Sequence, residues 1–266
     1  MAGPRTSLPL IGTRSGVSSP ISTSRPSSVG CGRTTSVMKT QQPQNKEILS
    51  DAQKLALKTF AELPDSDKFY LTGGTALAEF YLGHRRSFDL DLFTTEPGVI
   101  VPFSRIAERG FSRVGFAVEV VRRLESFTEL EIRWKNEPLR VQFALDSPFR
   151  FAPPVATPLG LVNDFQDLIV DKTLAFFGRA EPRDAVDLHF ILQDEDIWEI
   201  LQLAAKKDPG FDIYWFAVAL EKVEGYPDEP DRWPVEMLVP FSPRALKGMF
   251  SAIKREIMQR INSGKD

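Results

Sequence analysis

Residues 45–110 show two kinds of hydrophobic pattern in turn. Apolar residues return every three or four positions where we expect helices, and in short, compact runs where we expect strands. The pattern predicts helix, strand, helix, strand and helix in that order, at residues 45–63, 68–72, 75–84, 87–94 and about 102–110. Thr75 is the expected N-cap of the second helix, and Pro102 the expected start of the third.

Apolar and polar residues alternate more regularly in the middle of the chain. Three strands are predicted, at residues 115–125, 128–135 and 139–146, the last two joined by a turn at Asn136-Glu137-Pro138. A proline-rich connection at 148–158 then leads into helices predicted at about 163–178, 182–194, 196–207, 211–224 and 242–262. This order predicts an α+β fold, with a mixed β-sheet flanked by helices in residues 45–158 and a helical C-terminal lobe in residues 159–266.

The first 37 residues differ from the rest of the chain. They are rich in Ser, Thr, Gly, Pro and Arg, and they contain four arginines but no acidic residue and no lysine. Such a segment buries too little apolar surface to offset its ordering entropy, so we predict a disordered leader. It also resembles a transit peptide, although its four prolines disfavour an amphipathic helix. A third interpretation is that translation starts at Met38 and that the leader is not native.

Composition limits the compartment and the partners. No segment approaches the roughly 20 apolar residues of a membrane helix, and Cys31 is the only cysteine. Both features predict a soluble, cytoplasmic protein in a reducing compartment, without a membrane partner. The whole chain carries a net charge of −3 and the leader +4, which leaves −7 for residues 38–266. This body does not favour nucleic-acid binding over its whole surface, but it leaves room for a local basic patch.

Two carboxylates interrupt an otherwise apolar strand. Asp89 and Asp91 are two residues apart, so on a strand they point to one face, while Phe88, Leu90 and Leu92 point to the other face and into the core. Neighbouring carboxylates repel one another, and a cation usually compensates them. Oxygen ligands of this kind suit Mg²⁺ or Mn²⁺ bound together with substrate phosphates.

A glycine pair precedes this strand. Gly73 and Gly74 let the backbone approach a ligand closely, and Thr75 follows them at the start of a helix, whose free amides favour a phosphate. The alternative is that the carboxylates are solvated and that the glycines only form a turn. Arg85 or Arg86 would contact a phosphate or the acceptor, or would only neutralise the carboxylates.

Gly-Gly-Thr followed by Asp-x-Asp resembles the signature of the polymerase-beta-like nucleotidyltransferase superfamily. The longer string GGTALAEFYLGHRRSFDLDLF is similar to the AbiEii/AbiGii toxin family of nucleotidyltransferases. The matching residues are Gly73, Gly74, Thr75, Arg86, Ser87, Asp89 and Asp91. The resemblance implies a nucleotidyltransferase-type sheet, an NTP substrate bound at Gly73, Gly74, Thr75, Arg86 and Ser87, and catalytic, metal-binding roles for Asp89 and Asp91.

A second block, at residues 163–188, extends the resemblance. Lys172, Arg183, Asp184, Asp187 and Leu188 match it. Lys172 would bind the nucleotide and neutralise the departing pyrophosphate, and Asp184 or Asp187 would be a base or would orient Lys172 or the acceptor hydroxyl. The alternative is a surface network of salt bridges. His189, beside this block, is expected to be a packed core residue.

The third carboxylate of such enzymes is absent from its expected place. The resemblance puts an acid where this chain has Gln142, and Asp146 lies about 13 Å further along the strand. This difference leaves two alternatives, a working nucleotidyltransferase and a weak or inactive nucleotide-binding module of the same fold.

The family also implies biological partners. Its members resemble toxins of bacterial toxin–antitoxin or abortive-infection systems, so a cognate antitoxin protein and a tRNA, other RNA or protein acceptor are expected. A basic C-terminal helix is a candidate RNA-facing surface or a solvated face, through Arg244, Lys247, Lys254, Arg255 and Arg260. As a third class of function, the acidic stretch 221–236 would bind a basic partner.

Overall fold

Seven strands form one mixed sheet in the computed structural model, which describes residues 41–264. The strands are β1 Tyr70–Thr72, β2 Leu90–Thr94, β3 Ala117–Arg123, β4 Phe127–Trp134, β5 Glu137–Leu145, β6 Val155–Thr157 and β7 Gly160–Val162. Their order is β3-β4-β5-β2-β1-β7-β6. The pairs β2–β5 and β1–β7 are parallel, and the other neighbours are antiparallel. The predicted α+β class with a mixed sheet is confirmed.

Two details of the predicted strands are wrong. The β6–β7 hairpin begins in the segment expected to be a connection and extends past its predicted end at residue 158. The hairpin is not predicted because its three-residue strands are too short to show alternation. The turn between β4 and β5 is formed by Lys135 and Asn136, which both adopt positive φ. Glu137 already pairs with Trp134 and belongs to β5. Two residues with positive φ match the right-handed twist of a tight hairpin.

Eight α-helices accompany the sheet within residues 41–264. They are α1 Asp51–Ala61, α2 Gly73–Leu77, α3 Ile100–Arg113, α4 Phe165–Arg179, α5 Pro182–Ile191, α6 Ile197–Lys207, α7 Ile213–Glu221 and α8 Pro243–Asn262. Helix α2 continues as a π-helical turn over Ala78–Leu82. The predicted helices are present, with shifted ends.

Caps explain where several helices begin. Ser50 and Gln53 form a capping box, so α1 starts at Asp51 rather than at residue 45. The N-cap of α2 is Thr72 and not Thr75, because the helix already begins at Gly73. Aspartate or serine side chains cap four further helices, at Asp164, Asp196, Asp212 and Ser242.

The apolar residues form two clusters. The first packs the sheet against α1 and α3, with Phe103 in ring contact with Phe60, Phe69 and Phe143. The second lies among α4, α5, α7 and α8. Helix α4 contributes to both, through Leu168 in the first and Phe176 in the second. The division at residue 158 stays a prediction, and the leader, residues 1–37, lies outside the described residues.

Within residues 41–264, no helix combines the length and the apolar character needed to cross a membrane.

Candidate active site

A cleft of about 780 Å³ opens beside the ends of β1 and β2 and is closed on its far side by α4. Seven of the sequence-predicted site residues line it: Gly73, Gly74, Arg86, Ser87, Asp89, Asp91 and Lys172. Thr75, Asp184 and Asp187 lie behind its walls and are fully buried or nearly so. The structure therefore brings the two sequence blocks together around one cleft, but it gives three of their residues supporting positions.

Asp91 has the fewest partners of the carboxylates that line the cleft. It lies on β2 opposite Thr72 of β1, while Leu90 and Leu92 on either side of it point into the core. Among the described residues, none donates a hydrogen bond to it or forms a salt bridge with it. Burial raises the pKa of the Asp91 carboxyl, and the charge of Lys172 offsets this only in part. A desolvated carboxylate that faces a cleft without a partner is a ligand ready for a cation.

Gly73 allows the backbone to lie against Asp91. Its φ is +71°, and a Cβ added there would lie 2.0 Å from Asp91 Oδ2. At Gly74 an added Cβ would lie 2.8 Å from Ser87 Oγ. Both positions therefore require glycine, because a neighbouring side chain lies too close for a Cβ. Gly73 requires it for a second reason, its left-handed backbone.

A Gly73→Ala substitution is expected to abolish the function of the cleft and to destabilise the fold, because the new methyl group cannot share space with Asp91. Gly178→Ala is the matched control, since an added Cβ on this exposed α4 glycine meets no atom within 4 Å. We expect the control to raise stability by about 0.5–1 kcal/mol. Denaturant unfolding of both variants tests this, and equal stabilities would contradict it.

Asp89 stands one residue before β2 and is held from two sides. Arg140 of β5 binds both its carboxylate oxygens, with Nε 3.1 Å from Oδ1. The buried Thr75 hydroxyl donates to the Asp89 carbonyl oxygen. Thr75 thus fixes the Asp89 backbone and does not reach the cleft. Arg140 is a cleft residue that sequence reasoning missed, and its position opposite Asp89 was not visible without the β2–β5 pairing.

Phe88 departs from its predicted place. It was expected in the core beside Leu90 and Leu92, but it is 61 % exposed and lines the cleft. The reason is that regular strand geometry begins only at Leu90, so alternation does not extend back to residue 88.

Asp187 is the centre of a buried charge cluster. Its side chain is fully buried and accepts from Arg85 Nε and Nη2 at 2.6 and 2.8 Å, with Lys172 Nζ at 2.8 Å and His84 Nε2 at 2.8 Å. Burial opposes its ionisation, yet Arg85 and Lys172 hold the pKa of Asp187 well below its usual range. Asp187 therefore orients two cations whose side chains also line the cleft. Of the two adjacent arginines that the sequence left as alternatives, Arg85 is the buried one, and it neutralises Asp187.

Asp184 has a similar supporting position. Its buried carboxylate accepts from Arg179 Nε and Nη2 at 2.7 and 2.8 Å. Arg179 and Arg183 both line the cleft, and Arg183 also pairs with Glu181 at 2.9 Å. The salt-bridge interpretation of the second block thus describes its contacts well, except that its two aspartates are buried and support cleft-facing cations.

Gln142 occupies the place predicted for it. It pairs with Asp91 across β5 and β2 and with Glu129 across β5 and β4, and its Nε2 donates to Glu129 Oε2 at 2.8 Å. Asp146 lies past the end of β5 and accepts from the Tyr70 hydroxyl. In the part of the chain that the structure describes, no cluster of three or more His, Cys, Asp or Glu side chains could hold a metal.

Most charges of the two candidate partner surfaces are engaged within the chain. On α8, Lys247 contacts Asp228 at 2.6 Å and Lys254 contacts Glu221 at 3.0 Å, and Arg260 lies 3.5 Å above the Trp198 ring. At the cleft rim, the salt bridge of Arg86 with Glu236 measures 2.7 Å. The acidic stretch and the basic helix thus partly neutralise each other. His189 is buried beside Phe190, as expected of a packed residue.

Comparison with known proteins matches this site to a family. Residues 55–213 match the family described as nucleotidyl transferase AbiEii toxin, type IV toxin–antitoxin system. The chain belongs to the AbiEii nucleotidyl transferase toxin family. The matched range includes both sequence blocks and every predicted site residue, so the resemblance is confirmed, and the chain is a nucleotidyltransferase by family.

Relatives of this AbiEii-family protein match most of its length. An uncharacterized protein from Aquifex aeolicus is 26 % identical over 205 residues, which are 70 % of this chain and 90 % of the relative. A crystal structure of a candidate nucleotidyltransferase from H. pylori superposes with a TM-score of 0.55 at 16 % identity, covering 82 % of this chain and 100 % of that one. MenT4, a nucleotidyltransferase toxin from Mycobacterium tuberculosis, gives 0.51 at 17 % identity, with 78 % and 84 % covered. The two structures show a shared fold.

Proposed function

We propose that this protein transfers a nucleoside monophosphate from an NTP to the hydroxyl group of an acceptor, as the toxin of a toxin–antitoxin pair. The single observation that carries the proposal is the unpaired Asp91 carboxylate, which faces a cleft lined with cations beside the Gly73–Gly74 turn. A site of this kind binds a metal ion and several phosphate groups together.

The cleft residues fit a divalent cation. Asp89 and Asp91 would hold Mg²⁺ or Mn²⁺, because they offer only oxygen atoms and because Asp91 is partly buried and has no partner among the described residues. When bound, the cation would withdraw charge from the phosphate under attack. Asp89 would then contact the cation in place of Arg140. The Arg140 guanidinium lies on the same wall of the cleft and would be free to bind a phosphate.

The cationic side chains fit a triphosphate. Besides Arg86 and Arg140, the cleft is lined by Arg85, Lys172, Arg179 and Arg183. Because Asp187 fixes Arg85 and Lys172, these two need no reorganisation to meet developing negative charge. Their proposed role is to bind the phosphates and to stabilise the departing pyrophosphate. The amides of Gly73 and Gly74 would support the phosphate nearest to Asp91.

Label transfer tests the proposed function. The protein is incubated with Mg²⁺, total RNA and each α-labelled NTP in turn, and the expected result is label on an RNA band. Asp89→Asn is expected to lose this transfer by on the order of 10²–10³-fold, as for the loss of one charge-stabilising group. Asp194→Asn is the matched control, since Asp194 is exposed and away from the cleft. NTP binding without transfer to any RNA or protein would instead support an inactive nucleotide-binding module.

The proposal also includes an acceptor and an antitoxin. We infer an RNA acceptor, with the 3′ end of tRNA as the first candidate, because the cleft that opens at the rim formed by Arg86, Phe88 and Glu236 is lined by cationic side chains. A cognate antitoxin would counteract the nucleotidyl transfer catalysed in this cleft. Sequencing of the labelled RNA identifies the acceptor.

A further inference from the structure

One carboxylate of the cleft lies within the second sequence block but is not among the residues that match the family there. Asp171 lies on α4 next to Lys172, and its side chain lines the cleft and is 33 % exposed. Lys172 turns to Asp187, whereas Asp171 lies on the side of α4 toward α6. The sequence offered no motif for Asp171, so its position is a finding of the structure.

A network of fixed contacts anchors Asp171. Lys207 Nζ lies 2.6 Å from its Oδ1, and Asn163 Nδ2 donates to its Oδ2 at 3.2 Å. The same Asn163 amide donates to Thr72 Oγ1 at 3.0 Å. Thr72 is the register partner of Asp91 on the neighbouring strand. Asp171 is thus tied to the end of β1, one strand away from the proposed metal ligand.

The other carboxylates near the cleft are unsuited to accept a proton from a substrate. Asp187 and Asp184 are 0 % exposed and fully engaged by cations. Gln142 is neutral. Asp146 accepts from the Tyr70 hydroxyl and the Ser147 amide and also lies 3.8 Å from Arg150, and Glu236 at the rim is paired with Arg86. Asp171 keeps accessible lone pairs, because a carboxylate accepts about four hydrogen bonds and only two contacts are present here.

On the basis of the proposed function, we propose that Asp171 is the general base that accepts the proton of the acceptor hydroxyl. In this step the O–H bond breaks and the proton moves to the Asp171 carboxylate. The acceptor oxygen forms its bond to the α-phosphorus. The bond between the α-phosphorus and the oxygen that bridges to the β-phosphate breaks, and pyrophosphate leaves with that electron pair.

The surroundings of Asp171 suit a base at neutral pH. Burial raises the pKa of Asp171 to about 6, Lys207 of α6 opposes this rise, and Asp146 and Asp167 add to it. Lys207 is shared, since its Nζ also lies 2.8 Å from Asp167 Oδ1. Arg150 is the other charged group on this side and lies 3.8 Å from Asp146. The carboxylate therefore becomes ionised as the pH rises through about 6, and the transfer rate should rise with it.

The test is the pH profile of label transfer by Asp171→Asn, between about pH 5 and pH 8. We expect a rate about 10²–10⁴-fold below that of the wild type, without the rise through about pH 6, and with unchanged NTP binding. Asp171→Glu is expected to keep the rise, and Asp146→Asn to move it to lower pH, because Asp146 raises the pKa of Asp171. Asp194→Asn controls for the loss of one surface charge.

Two outcomes would overturn the assignment alone. One is an Asp171→Asn variant with the rate of the wild type. The other is a slower variant whose rate still rises through about pH 6. That rise would then be due to Asp91, since burial also raises the pKa of Asp91. Absence of any transfer by the wild-type protein would overturn the proposed function and, with it, the role of Asp171.

Discussion

Replacement of Asp91 by asparagine is expected to abolish nucleotidyl transfer while making the metal-free protein more stable. The loss of rate should be on the order of 10³-fold, because a neutral amide is a poor ligand for Mg²⁺ and stabilises less charge. Few substitutions combine loss of activity with gain of stability. The combination arises when a site keeps an unfavourable group for its function.

The stabilising effect of Asp91→Asn follows from the direction of its pKa shift. Burial raises the pKa of the Asp91 carboxyl above its ordinary value of 3.8, so the folded state holds this proton more tightly than the unfolded state. Stability from this group is therefore present at low pH and is lost as the pH rises from the unfolded pKa through the folded one. Asparagine has no charge to desolvate at neutral pH. We expect a rise in Tm of about 2–4 °C, which corresponds to about 1 kcal/mol in a chain of this length.

Thermal unfolding as a function of pH, in the presence of a chelator, measures this effect. The melting temperatures of the wild type and Asp91→Asn should differ at pH 7 and converge toward pH 4. Asp194→Asn, which removes an exposed carboxylate, should follow the wild type throughout. A variant that melts below the wild type at pH 7 would show that Asp91 has a stabilising partner in the folded protein.

The second large effect is expected at Asp187, where the direction of the stability change is the opposite. Asp187→Asn leaves the buried Arg85 and Lys172 without their counter-charge. Breaking a buried ion pair on one side costs about 3–5 kcal/mol. The free energy of unfolding, obtained from denaturant titration, should fall by this amount, and transfer activity should be lost as well.

The sign of the pKa shift adds a pH dependence to this prediction. Arg85 and Lys172 hold the pKa of Asp187 well below its ordinary value, so its contribution to stability is present above the unfolded pKa and is lost in acid. The stabilities of wild type and variant should therefore approach one another as the pH falls. Asp228→Asn removes the exposed partner of Lys247 and should change stability little. Equal unfolding midpoints for Asp187→Asn and Asp228→Asn would contradict the assigned role.

The larger elements of the fold could be predicted from the sequence because their patterns are long. The alternation along β4 and β5 and the helical repeats of α4 to α8 each span at least eight residues. The β6–β7 hairpin could not be predicted in this way, since three residues contain too little alternation. Helix ends depended on single capping contacts, such as that of Ser50 with Gln53, which hydrophobic periodicity does not report.

The candidate site, too, could be predicted only in part from the sequence. Local sequence order was enough to place Asp89, Asp91 and the two glycines at one cleft. It was not enough to show that Thr75 and Asp187 act from behind the cleft wall, because burial depends on packing between distant segments. Arg140 and Asp171 are not motif residues, and they reach the cleft only through sheet pairing and the orientation of α4. Such contacts join residues that are far apart in the chain.

The position of the transferred label tests the central claim most directly. The wild-type protein is incubated with Mg²⁺ and total RNA, in parallel with NTP labelled at the α-phosphate and at the γ-phosphate. We predict that only the α-label becomes attached to RNA, that the γ-label is released as pyrophosphate, and that Asp91→Asn produces neither result. Attachment of the γ-label would indicate phosphoryl transfer, and α-label transfer by Asp91→Asn at the wild-type rate would place the chemistry outside this cleft; either result would contradict the proposed function.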